Sequence, residues 1–166
     1  RHNFQLHANP MPITPYTGPF GRTELQHLLR RSLFGCTVAD LAHFEGLGLA
    51  EVMDQLLDFT NDTTPPVKAY TDANGDPDGI DAAVAFGSTW VDTPITPLND
   101  TEVIEVRLRS FGAWWAGLLV DQQRNLREKL VLFWHNHLPT QTSIVYQSEM
   151  QYRMNQLLRN RCKGNF

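Results

Sequence analysis

The chain has 166 residues, of which 42% are hydrophobic and 19% charged, and its formal net charge at pH 7 is -4. This composition is typical of a folded globular domain and excludes a disordered chain, and the length is enough for one domain with its own core. The acidic balance argues against a nucleic-acid partner, and no stretch approaches the roughly 20 apolar residues of a membrane span.

Residues 1–21 are predicted to form an extended arm. Pro10, Pro12, Pro15 and Pro19 each fix the backbone and remove an amide donor, so no helix is expected there. Such an arm would pack across the body of the domain or against a partner.

Three short helices should follow the arm. Thr23 with Gln26 and Thr37 with Asp40 have the spacing of capping boxes, which mark helix starts. Glycines end the first two helices, and a third helix is expected over residues 49–59. Apolar residues recur at helical spacing in all three, which predicts a compact packed unit.

Residues 60–99 are predicted to form a long irregular insertion, because they are rich in Pro, Asp, Gly and Thr and have no helical period. Val84, Phe86 and residues 89–91 favour short strands, so a small β-hairpin is expected within the insertion.

A second group of helices is predicted after the insertion. Its first helix should begin at Asp100, its second should run over about residues 123–134, and Ser148 with Gln151 should cap the third. The fold class is therefore mainly α: a helical bundle with a long insertion between two helical groups. We expect residues 22–166 to form one helical domain.

Four strings of the sequence resemble the N-terminal part of the domain of unknown function 1800 family. They are LLRRSLFG at residues 28–35, WV at 90–91, EKLVLFWHNH at 128–137, and LRNRCKGNF at 158–166. The resemblance implies a bacterial, often exported protein with no settled activity. It also implies that family members are several hundred residues long, so residues 22–166 would be the N-terminal part of a larger domain.

His135 and His137 are candidate metal ligands. On an extended segment, residues i and i+2 face the same side and can share one metal, whereas on a helix they point about 200° apart. Pro139 should end the helix close to this pair. A catalytic zinc usually has three protein ligands, so a third would come from His27, from His43 or from a further C-terminal region. The favoured alternative is that both histidines cap a helix end.

A second candidate metal site is a calcium loop. Asp72, Asn74, Asp76, Asp78 and Asp81 place oxygen ligands at nearly alternate positions between glycines, as Ca²⁺ sites often do. The alternative, slightly favoured, is a solvated turn, because Asp, Asn, Gly and Pro are also the usual turn formers. The two cysteines, Cys36 and Cys162, could form one long-range disulfide, but two free thiols are the favoured interpretation.

Two functional hypotheses follow. The first is an uncharacterised exported or surface-associated bacterial protein acting as a structural or binding component, whose partner is a protein: the rest of its own chain or an assembly. The second is a metal-dependent, hydrolase-like enzyme whose site is completed by a C-terminal region, with a divalent transition metal or calcium as its cofactor. The sequence shows no complete catalytic constellation, so the first is favoured and catalysis stays undecided.

Overall fold

The fold comes from a computed structural model, which describes residues 14–60 and 64–164. Within these residues the secondary structure is helical, with no β-strand. The helices are α1 Arg22–Ser32, α2 Val38–Phe44, α3 Leu49–Leu57, α4 Thr101–Val120, α5 Arg127–His137 and α6 Ser148–Arg161. The predicted mainly helical class is therefore confirmed. None of the described helices is long and apolar enough to cross a membrane.

The predicted arm is only partly within the described residues. Pro10 and Pro12 lie outside them, and residues 14–20 are not helical, as expected. The Tyr16 hydroxyl donates a hydrogen bond of 2.8 Å to the Pro19 carbonyl, which folds this short piece back on itself. The arm as a whole is not confirmed.

One of the three predicted capping boxes is confirmed. At α2 the Thr37 hydroxyl accepts from the Asp40 amide and the Asp40 carboxylate accepts from the Thr37 amide. At α1 the prediction is wrong, because the N-cap is Gly21, two residues before Thr23, and the Gly21 amide donates to the Glu24 carboxylate. At α6 it is also wrong, since Ser148 is already helical and its hydroxyl donates to the Glu149 carboxylate.

Helices α1 to α3 bury a common apolar core. Its fully or nearly fully buried members are Leu25, Leu29, Leu33, Leu41, Phe44, Val52 and Leu56. Two lysines from the C-terminal half of the chain donate to carbonyls at the ends of these helices, Lys129 to Leu33 and Lys163 to Leu57. A cation at a helix C-terminus is favourable because the helix dipole is negative there. The two helical groups are thus joined by polar contacts as well as by packing.

Helices α4, α5 and α6 pack against one another. Between α5 and α6, Arg159 donates from both terminal nitrogens to the two carboxylate oxygens of Glu128, at 2.6 Å each. The same guanidinium donates through Nε to Asn155. Both charged side chains are at most 5% exposed. A bidentate ion pair of this kind fixes the orientation of the two helices relative to each other.

The insertion has a different structure from the predicted hairpin, which is not confirmed. The described part of it contains a single isolated bridge between Val67 and Thr89. Beside that bridge Lys68 faces both Gly87 and Ser88, and Gly87 has a φ of +81° that favours glycine. A β-bulge therefore ends the backbone pairing of the two segments directly after this bridge.

Buried cations hold the insertion instead of strand pairing. The fully buried Lys68 ammonium donates 2.9 Å hydrogen bonds to the carbonyls of Ile80, Asp81 and Val84. The Asp81 carbonyl also accepts from the Val84 amide, whereas no backbone amide of the described residues donates to the carbonyls of Ile80 and Val84 in this loop. A buried carbonyl without a donor is costly, so the ammonium stabilises the loop. One ammonium with three donors thus replaces the backbone pairing of a sheet.

Arg107 connects the insertion to two helices. It lies on α4, is fully buried, and donates from Nε and Nη2 to both oxygens of Asp81 at 2.8 Å. Its third nitrogen donates to the Thr93 carbonyl at 2.6 Å and to the Glu149 carboxylate of α6 at 2.5 Å. A single guanidinium therefore fixes two parts of the insertion and the start of α6 against α4.

Replacing Arg107 with methionine should destabilise the fold by roughly 3–5 kcal/mol, because the Asp81 carboxylate would remain buried without its partner. Urea unfolding followed by circular dichroism measures the change. Adding Asp81→Asn should recover part of the loss, since a neutral amide then replaces the buried carboxylate of Asp81.

The matched control is Arg124→Met, which removes a more exposed ion pair with Asp40 and should cost less than about 1 kcal/mol. Equal losses for Arg107→Met and Arg124→Met would contradict the role assigned to Arg107.

Candidate functional site

A groove of about 780 Å³ lies between the first part of the insertion and helix α4. One wall is the non-helical segment of residues 64–71, which contains the bridge residue Val67, and the other is a face of α4. The segment contributes Pro65, Pro66, Val67, Ala69 and Tyr70, and the helix contributes Val106, Arg109, Ser110, Ala113 and Trp114. The lining is therefore mostly apolar, with an aromatic ring in each wall.

The segment is held to the helix by hydrogen bonds that leave the groove open beside them. The Ser110 hydroxyl donates to the Val67 carbonyl at 3.0 Å, and the Trp114 indole N–H donates to the Thr64 carbonyl at 2.7 Å. The Ser110 hydroxyl in turn accepts a hydrogen bond of 3.0 Å from the indole N–H of the buried Trp90. The walls are thus fixed before any ligand binds.

The charge states of Asp81 and Tyr70 also favour a fixed arrangement of the groove wall. Burial acts to raise the pKa of Asp81, but hydrogen bonds from Arg107 and Tyr70 outweigh it, and the pKa is lowered. Burial and the bond to Asp81 raise the pKa of the Tyr70 hydroxyl, which donates to Asp81 at 2.6 Å. Asp81 therefore stays charged and Tyr70 stays neutral at neutral pH, and the network persists.

The polar groups of the groove are few. Arg109 is exposed at the groove and forms no salt bridge with any residue of the described ranges. Towards the end of α4 a smaller cavity of about 300 Å³ shares Trp114 and Leu118 with the groove and adds polar residues such as Gln123. The groove thus combines a long apolar surface with an unpaired cation.

The predicted metal ligands His135 and His137 both lie within α5, which ends at His137. The structure does not bring their rings together. The His135 ring stacks on Trp115 of α4 with centroids 4.8 Å apart. The His137 ring lies on Phe133 and its Nδ1 is 2.8 Å from the Phe133 carbonyl, one turn earlier. The His137 contact is a hydrogen bond within the last turn of α5, and both the metal role and the helix-end role of the two histidines stay predictions.

The candidate third ligands lie on the other helical group. His27 is on α1 and exposed, and the Nε2 atom of His43 on α2 is 3.0 Å from Gln55. Within residues 14–60 and 64–164, His, Cys, Asp and Glu form no group of three suited to a metal ion. The two cysteines are free thiols and lie in different apolar clusters.

The predicted calcium ligands separate into two sets. The Asp72 carboxylate accepts from the amides of Asn74 and Asp76, and the Asp76 carboxylate accepts from the Asp78 amide. These are the internal hydrogen bonds of an Asp-rich turn. Asp81 instead turns inward, where Arg107 and Tyr70 occupy its oxygens. Calcium binding by Asp72, Asn74, Asp76, Asp78 and Asp81 stays a prediction.

The residues that build the groove and fix its walls were not predicted from the sequence. Arg107 stands on the apolar face of α4 between Ile104 and Phe111, and charged residues are rarely buried unless paired. A charged residue on the apolar face of a helix could therefore have indicated that Arg107 forms a buried ion pair. Nothing in the local sequence identifies Asp81 as its partner, because the two residues meet only in the folded chain.

The chain matches the model of a known protein family. The family model described as a protein of unknown function, DUF1800, matches residues 27–166. The chain belongs to this family. The match covers all three helices of the second group and most of the first. Neither a curated protein nor a solved structure matches the chain.

The pKa of His135 tests its stacking on Trp115. Burial lowers the pKa of this imidazole below its ordinary value of about 6.5. Proton NMR should show His135 titrating below that value, and Trp115→Leu should move the midpoint upward because water reaches the ring.

Trp114→Leu is the control, since the Trp114 ring packs on Phe111 and Tyr152 instead. The stacking is contradicted if the two tryptophan variants shift the His135 midpoint equally.

Proposed function

We propose that this member of the DUF1800 family is an exported or surface-associated bacterial binding component, and that the groove beside α4 is where a protein partner docks. The observation that carries the proposal is the groove of about 780 Å³ between residues 64–71 and α4. Its volume falls in the range of about 300–1,000 Å³ of small-molecule pockets, so it has room for a few side chains of a partner.

The groove's rigidity supports a binding role. Its walls are fixed by the bonds of Ser110 and Trp114 and by the buried contacts of Arg107. A preformed site binds more tightly because less conformational freedom is lost on association. The long insertion is thereby explained as a structure that builds one wall of the site.

The groove's composition supports a protein partner. Apolar and aromatic side chains dominate its lining, and these residue types are enriched at the centres of protein interfaces. The proposed location at the cell surface rests on the family resemblance and not on the groove.

A bulky side chain in the groove should block the partner. Ala113 lines the groove and is exposed, so Ala113→Trp should fill the site without disturbing the core. The matched control is Ala116→Trp on the same helix, because Ala116 is exposed but does not line the groove.

The partner is first identified by photo-crosslinking in cells, with a reactive side chain at position 113 or at position 116 of the full-length protein. Position 113 should crosslink to one polypeptide and position 116 should not. Binding of that purified partner should weaken at least about tenfold with Ala113→Trp and remain unchanged with Ala116→Trp. Equal affinities for the two variants would contradict the proposal.

The second candidate function is a metal-dependent, hydrolase-like enzyme. The observation that favours it is His135, whose lowered pKa keeps the imidazole neutral, the form that binds metals. Because His135 and His137 face different neighbours on α5, ligands from elsewhere in the protein would have to complete such a site.

Elemental analysis of the dialysed full-length protein tests this candidate. Stoichiometric zinc, iron or manganese that is lost in the double variant His135→Ala, His137→Ala would favour the enzyme. Calcium in both proteins would instead indicate the Asp-rich turn. A metal-free parent protein would remove the support for the enzyme.

A further inference from the structure

We propose that the occupant of the groove is an extended peptide strand that pairs with the backbone of Ala69 and places a carboxylate against Arg109. This inference rests on the proposed binding role of the groove and names the chemistry of the partner: an apolar segment that contains an acidic residue.

The backbone of the groove wall supports an extended occupant. The Lys68 amide donates to Ser88 and the Lys68 carbonyl accepts from Gly87, so both groups point to the edge of the segment that faces residues 87–88. In an extended chain the groups of successive residues point to opposite edges. The Val67 carbonyl accordingly faces α4, where it accepts from Ser110. The amide and carbonyl of Ala69 should therefore face the groove.

Ala69 has the properties of an open pairing position. It is exposed and lines the groove, and its amide and carbonyl have no hydrogen-bond partner within the described ranges. A peptide strand alongside would exchange two hydrogen bonds with one such residue. A compact apolar ligand would leave both groups without a partner.

The charge of the groove supports an acidic residue in the occupant. Arg109 carries the one guanidinium of the groove that forms no salt bridge within the described residues, whereas Arg127 donates to the Thr60 carbonyl and to Glu128. A guanidinium binds a carboxylate through two parallel hydrogen bonds, and these are stronger than bonds between neutral groups.

The apolar lining supplies the remaining specificity. Alternate side chains of a strand point to the same side, so the peptide would direct every second residue into the groove. There they would contact Val106, Ala113 and the Trp114 ring. The occupant should thus alternate apolar residues with others and carry one acidic residue near Arg109.

The experiment is selection of a displayed library of random peptides of about eight residues against the full-length protein. Peptides enriched on the parent protein should share an acidic residue among apolar ones. For the best peptide, Arg109→Gln should weaken binding roughly tenfold and remove the preference for Glu over Gln at the acidic position.

Backbone pairing has its own readout. Ala69→Pro removes the amide donor without removing an internal hydrogen bond, and it should weaken the same peptide roughly tenfold. N-methylation of the peptide should weaken binding strongly at one position only, because a single peptide amide donates to the Ala69 carbonyl. Ala116→Trp is the control variant, and urea unfolding checks that each variant is folded.

Four outcomes would overturn the inference. They are enrichment of no peptide, enrichment without an acidic residue, the same preference for Glu in Arg109→Gln, and equal loss for N-methylation at every position. If an apolar fluorescent dye, anilinonaphthalene sulfonate, still bound the parent and was excluded by Ala113→Trp, the groove would remain a binding site of another kind.

Discussion

The ion pair between Arg107 and Asp81 is the interaction on which the arrangement of the insertion depends. It joins α4 to a loop that has almost no regular backbone pairing, and it is completed by Thr93 and by Glu149 of α6. Asp81 has a φ of +54°, a conformation that costs energy for residues other than glycine, although Asp tolerates it better than most. Strong bonds to both carboxylate oxygens hold the residue in that conformation. The groove exists because the loop is fixed there.

Two of the strings that resemble the family, at residues 128–137 and 158–166, contact each other in the fold. Glu128 opens the EKLVLFWHNH string, and it pairs with Arg159 of the LRNRCKGNF string through two bonds of 2.6 Å. Six residues further along, the Trp134 indole N–H donates to the Cys162 carbonyl at 3.2 Å. These strings therefore supply the polar contacts between α5 and α6. Their first role is structural, and the histidines within them lie beside these contacts.

Much of the fold could be predicted from the sequence, because helical periodicity and local caps are properties of neighbouring residues. The start of α4 at Asp100 and the box of Thr37 with Asp40 were predicted for that reason, and both are present. The insertion could not be predicted in the same way. Its β-propensity at residues 84–91 suggested a hairpin, but the contacts that decide its path come from Lys68 and Arg107, which are distant along the chain. The site was missed for the same reason: its walls are far apart in sequence, and its residues Ala69 and Arg109 have no motif.

Hydrogen–deuterium exchange of the full-length protein and of Arg107→Met tests the central claim most directly, since exchange reports local opening segment by segment. If Arg107 holds the insertion against α4, the variant should lose amide protection at Lys68, Gly87, Ser88 and Thr93 while the helices α1 to α3 keep theirs. Unchanged protection of the insertion in Arg107→Met would contradict this account of how the groove is built.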